Sequence, residues 1–121
     1  MKQTADSIVN RANNKIIVRN LWIADTFFSR LQGLLGTKTL LSGQGLLLRP
    51  CNGVHTFGMH YAIDILFLDR SYHVLRVVAA LPPGRMAGFL SAAQALELPA
   101  GTSKLLDIQA GQQLAYLNRD Y

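Results

Sequence analysis

Ile63-Asp64-Ile65-Leu66-Phe67-Leu68, then Asp69-Arg70-Ser71-Tyr72, then His73-Val74-Leu75-Arg76-Val77-Val78-Ala79-Ala80 is the stretch on which the fold turns. Apolar and β-branched residues fill both outer segments, each too short for an ordinary helix, and polar turn formers divide them. The pattern predicts two strands paired antiparallel as a hairpin, although the favoured Asn-Gly turn is missing.

Toward the N-terminus, Gly43 to Arg49 is a second short apolar run, ended by Pro50 because proline cannot donate to a sheet ladder. Residues 51–60 show little periodicity and read as an irregular loop or a twisted edge. Lys15 to Ala24, rich in Ile, Val and Trp, reads as a strand bulged near Arg19-Asn20. Asp25 or Thr26 can cap a helix running through Gly33, with Phe27, Leu31 and Leu34 on one face and Gly36 as its stop. Residues 1–14 are polar and read as a tail.

Toward the C-terminus, Leu81-Pro82-Pro83-Gly84-Arg85 is a loop expected to stay irregular as far as Gly88. Ala93 to Leu98 is a further apolar segment, and Pro99-Ala100-Gly101 fits a turn with glycine where φ must be positive. Thr102 or Ser103 can cap a single helical turn over Lys104 to Ile108, and Gln113 to Leu117 is the last strand. About six strands and two short helices lack the alternation of a parallel α/β sheet. The expected fold is mainly β: a small antiparallel β-sandwich or barrel-like domain over residues 15–121, with two short helices, behind the polar tail.

The 121 residues suit one domain; half are hydrophobic and 16% are charged, so a core can form without a metal or disulfide. The single cysteine, Cys51, excludes an intrachain disulfide. The polar start, Met1-Lys2-Gln3-Thr4-Ala5-Asp6-Ser7, lacks the apolar run of a signal peptide, and no stretch has the length of a membrane helix. A cytoplasmic, monomeric or weakly associating protein without a membrane partner is expected. Lys plus Arg number 12 against seven acids, a formal +5, but they are scattered singly rather than clustered among aromatics. That argues against a nucleic-acid face.

Four segments carry a family resemblance: Arg30-Leu31-Gln32-Gly33-Leu34, Pro50-Cys51-Asn52-Gly53-Val54-His55-Thr56-Phe57-Gly58-Met59, Ile63 to Asp69, and Leu96-Glu97-Leu98-Pro99-Ala100-Gly101. In kind and order they resemble the bacterial and archaeal family called domain of unknown function 192, from about Lys15 to Leu117. The resemblance implies a compact, mainly antiparallel β-sandwich-like domain with short helices, and it carries no activity, substrate or cofactor. His60 stands where that family usually has Lys or Arg, and Ala62 where it usually has Pro. An anion-binding role for that position would here become pH-dependent, since histidine titrates near neutrality.

Cys51, His55, His60 and Asp64 are all metal-ligand types, but Cys-x3-His-x4-His-x3-Asp matches no usual zinc spacing, so no metal and no cofactor is expected. A Cys51–His55 dyad, oriented by Asp64 or Glu97, is the nucleophilic alternative. Asp64 interrupts an apolar strand; if buried, it must accept backbone hydrogen bonds or pair with arginine. Glu97, the only glutamate, lies between Leu96 and Leu98, where strand alternation exposes it, unless a partner such as Arg49 or Arg85, or a ligand pocket, claims it. Phe57-Gly58-Met59 offers a close backbone approach flanked by apolar side chains. The favoured function is a non-catalytic binding module for a small molecule, peptide or glycan. Its expected contacts are His55, Thr56, Phe57, Met59 and His60 of loop 51–60, with Asp64 and Glu97. A Cys/His enzyme and a purely structural or interaction protein are the alternatives.

Overall fold

The computed structural model describes residues 1–26 and 40–119. The body of the helix expected through Gly33 lies outside them. In chain order the strands are β1 (Lys2–Gln3), β2 (Ser7–Asn10), β3 (Ile16–Val18), β4 (Asn20–Ala24), β5 (Gln44–Leu48), β6 (Gly53–His55), β7 (Ile63–Leu68), β8 (Val74–Leu81), β9 (Met86–Gly88), β10 (Gln94–Pro99) and β11 (Leu114–Leu117). Among the described residues a short helix, α1 (Thr102–Leu105), precedes β11.

The central sheet has six strands in the order β1-β4-β5-β10-β7-β8, beside a three-stranded sheet, β11-β2-β3, and a two-stranded ribbon, β6-β9. β7 and β8 form the expected antiparallel hairpin. Its turn manages without Asn-Gly: the Asp69 carboxylate accepts the amides of Ser71 and His73, both at 2.9 Å, and Tyr72 takes the left-handed conformation with φ 66°. The all-antiparallel expectation fails at one pair, because β4 and β5 run parallel, Asn20 beside Gln44 through Ala24 beside Leu48. Nor is the sheet a closed barrel, since β1 and β8 are its two ends.

Both faces of this sheet are covered, which explains why β7 and β10 are buried along almost their whole length and read as continuous apolar runs. On one face Leu21, Leu47, Leu66, Leu96 and Leu98 meet Ile8, Val18 and Leu114 of the small sheet. On the other, Leu46, Ile65 and Phe67 meet Met59, Val54, Tyr61 and Ala87 from the chain around the ribbon. A Cβ on Gly45 would lie 2.8 Å from Val18 Cγ2 of the small sheet and 3.2 Å from Leu98 Cδ2 of β10, so any larger residue would force these side chains to shift.

Several expectations are corrected. Residues 1–14 are not a tail: β1 borders β4, and β2 is the middle strand of the small sheet, with Ile8 fully buried and Asn10 donating to Gln112 Oε1 at 2.9 Å. The apolar signal in Ser7–Asn10 is short because only alternate residues face the core. The expected strand Lys15 to Ala24 is divided at Arg19 between two sheets. Residues 53–55, expected on an irregular loop or a twisted edge, pair with 86–88, expected to be irregular, with His55 opposite Met86. The helical turn begins at Thr102, with Gly101 before it at φ 93°.

Candidate functional site

Three neighbouring strands bring distant residues to one end of the central sheet. Leu48 lies opposite Ala95, and Gln94 lies opposite Leu68. Residues just after β5, just before β10 and in the β7–β8 turn therefore gather at the same edge. Backbone bonds fix them: Cys51 N–H donates to Ala93 O at 3.0 Å and Ala93 N–H to Leu68 O at 2.9 Å. The Gln94 side chain adds to them, its Nε2 donating to Asp69 O at 2.9 Å.

Between these segments lies a cleft of about 730 Å³, whose wall includes Arg49, Cys51, Arg70, Tyr72, Ser91 and Gln94. Two arginines belong to that wall, while no acidic residue does among the described residues. Arg49 is half-buried and donates to the Tyr72 hydroxyl at 3.4 Å; Arg70 is exposed. Asp69, the acid next in sequence to Arg70, is committed to its own turn, where it also pairs with His73 at 2.9 Å. Burial works to raise the Asp69 carboxyl, but hydrogen bonds from His73 and Ser71 outweigh it and hold it below the usual carboxylate range. Arginines with neutral hydroxyl and amide donors are the chemistry of carboxylate or phosphate recognition.

The residues singled out in the sequence do not converge there. Cys51 lines the cleft, its Sγ donating to Gly53 O at 3.2 Å. His55 is exposed on the ribbon; its ring stacks on Phe57 at 5.1 Å, and its Nδ1 accepts the Phe57 amide at 3.3 Å. His60 is also exposed and Met59 is part of the second core. Thr56 is fully buried as a fastener: its hydroxyl donates to Pro82 O at 2.6 Å and accepts the Arg85 amide at 2.9 Å, tying loop 51–60 to loop 81–85.

Asp64 belongs to the fold rather than to that loop. Fully buried, it accepts the amides of Ala80 (2.8 Å), Gly101 (3.2 Å) and Ser103 (2.8 Å) and the Ser103 hydroxyl (2.7 Å). One carboxylate thus joins the end of β8, where Ala80 has φ 50°, to the turn before α1. Of the alternatives open for Glu97, exposure fails: it is 4% exposed, between Leu46 and Ile65 on the strands to either side. Alternation does turn it away from Leu96 and Leu98, but the face it turns to is covered. Burial pushes its carboxyl up to about 8. Among the described residues no group of three or more His, Cys, Asp or Glu side chains is placed to hold a metal ion.

Arg49, Arg70, Tyr72, Ser91 and Gln94 carried no sequence motif. Their signal was positional: Arg49 ends a strand before Pro50 and Arg70 sits in a hairpin turn, but that β5, β10 and β7 are neighbours is not written in either segment.

The fold occurs in solved structures. One, described as a "putative transcription regulator" from Sinorhizobium meliloti 1021, superposes with a TM-score of 0.82 at 18% identity, over 95% of this chain and 94% of its own. Another, a protein of unknown function from Novosphingobium aromaticivorans DSM 12444, gives 0.80 at 17% identity, over 93% of this chain and 84% of its own. At such identities the likeness concerns the fold alone. In sequence, a UPF0127 protein from Thermococcus sibiricus is 29% identical over 111 residues, which is 88% of this chain and 72% of that protein. The model of the DUF192 family, described as Uncharacterized ACR, COG1430, matches residues 8–116, and the chain belongs to that family.

Proposed function

We propose that the protein is a non-catalytic binding module for a small anionic ligand, a carboxylate or phosphate compound, held in the cleft between Arg49 and Arg70. The observation that carries this reading is the composition of the wall: two arginines and no acid among the described lining residues. Tyr72, Ser91 and Asn52 add neutral groups that can orient a bound anion. Binding moves from the middle of loop 51–60, where the sequence directed attention, to that loop's first two residues. A nucleophilic role for Cys51 would need a base at the cleft, and His55 does not line it.

Thermal unfolding in the presence of inorganic phosphate, citrate and succinate tests the reading. A ligand at about a hundred times its Kd raises stability by about 2.7 kcal/mol. One or more of these anions should raise the midpoint of the wild type, and the rise should largely vanish in Arg70→Gln and persist in Cys51→Ser. An equal rise in Arg70→Gln, or none in the wild type with any of the three, would contradict it.

A further inference from the structure

The ribbon presents an apolar outer face that the cleft does not use. Val54 and its partner Ala87 turn inward onto the second core, so alternation turns the next pair, His55 and Met86, outward. Met86 is 73% exposed, and Phe57, stacked on His55, is 48% exposed. At the far end, where Phe89 N–H bonds to Asn52 O at 2.9 Å, Leu90 is 94% exposed. Large apolar side chains exposed along the ribbon and the residues that flank it mark an interaction surface.

Charge identifies the partner. Arg85 directly precedes Met86, and Arg76 reaches the ribbon, its Nη1 donating to Gly88 O at 2.7 Å. No acidic residue occurs between Asp25 and Asp64 or between Asp69 and Glu97, so the segments that build the ribbon carry cations and no anions. A second copy would bring a face of the same sign of charge. An anionic lipid surface supplies both complements, headgroup charge for the arginines and acyl chains for the exposed aliphatic side chains.

We propose that the outer face of the β6–β9 ribbon, through Phe57, Met86 and Leu90 with Arg76 and Arg85, docks the protein on anionic phospholipid membranes. Docking is peripheral: no helix of the described residues is long and apolar enough to cross a bilayer. It amends the expectation, drawn from the missing spanning segment, that the protein has no membrane partner. The face adjoins the proposed anion cleft at Leu90, which precedes Ser91 and whose carbonyl accepts from Asn52 of the cleft wall, but it rests on different side chains, so either can fail without the other.

Flotation of the full chain with vesicles of equal parts phosphatidylglycerol and phosphatidylcholine, against phosphatidylcholine alone, tests it. The wild type should partition onto the anionic vesicles at least about tenfold better, and less so as salt rises. Met86→Ser/Leu90→Ser should lower that partition about tenfold or more, with Leu90→Ser alone giving part of the loss and an unchanged unfolding midpoint. Arg85→Gln should weaken it without abolishing it. No preference of the wild type for anionic vesicles would overturn the proposal. So would undiminished binding by the double variant, which would reduce the effect to the general attraction of a +5 chain. Self-association of the wild type lost in the double variant, without vesicle binding, would give the face to a second copy and overturn it too.

Discussion

Asp64 and Glu97 are both carboxylates inside apolar strands, and they are opposite in kind. Asp64 has all the acceptance its position needs from three amides and one hydroxyl. Asp64→Ala would strand those donors, so a loss of about 4 kcal/mol is expected in denaturant unfolding, with Asp64→Asn losing about half as much by offering an amide where an acceptor is needed. A change below about 1 kcal/mol for Asp64→Ala would contradict the structural role. Burial raises the Glu97 carboxyl from 4.5 to about 8. The folded chain therefore holds a proton that the unfolded chain releases, so this contribution is complete below about 4.5 and is lost as pH rises toward 8. Stability should fall by up to about 1.4 kcal/mol per pH unit across that window, and Glu97→Gln should flatten the decline. Matching slopes in wild type and Glu97→Gln would contradict it. Both residues were conspicuous in the sequence because they break apolar runs. What could not be read was that Asp64 meets amides some 16 to 39 positions away, or that a second layer covers Glu97.

Among the elements, the 63–81 hairpin, the strand ending at Pro50 and the Pro99-Ala100-Gly101 turn were legible because each is decided by neighbours in sequence. The parallel β4–β5 pair was not, because strand direction depends on how the intervening segment crosses. β2 escaped notice because four residues with two facing inward scarcely depart from a polar tail. Its place is fixed from afar: Tyr116 of β11 donates its hydroxyl to Asp6, and this bond, with the Arg119 amide, holds the Asp6 carboxyl below its usual range. The contact between sheets gives a sharper test than either sheet alone. Gly45→Ala places a methyl group inside the reach of Val18 and Leu98 and should cost about 1–3 kcal/mol, whereas Gly84→Ala, with open space around it, should cost about 1 kcal/mol through its positive φ alone. Thermal or denaturant unfolding of the pair decides it; equal losses would mean that the sheets do not meet closely at Gly45.

At the scale of the whole molecule, a sheet covered on both faces leaves its ends as the places where loops can build a recess. The cleft is such an end, and its arginines come from segments separated by 21 positions of chain that meet only because β10 lies between β5 and β7. Its location was therefore absent from the sequence, although one flank, Pro50-Cys51-Asn52, was within the segment that stood out. The most direct test is an amide NMR titration of the wild-type protein with inorganic phosphate, citrate and succinate, repeated on Arg49→Gln and Arg70→Gln. At least one anion should shift the amides of Cys51, Asn52, Arg70 and Ser91 to Gln94 saturably, leave those of His55 and His60 in place, and bind at least about tenfold more weakly to each variant. Shifts centred on His55 and His60, or affinities unchanged in both variants, would contradict an anion site between Arg49 and Arg70.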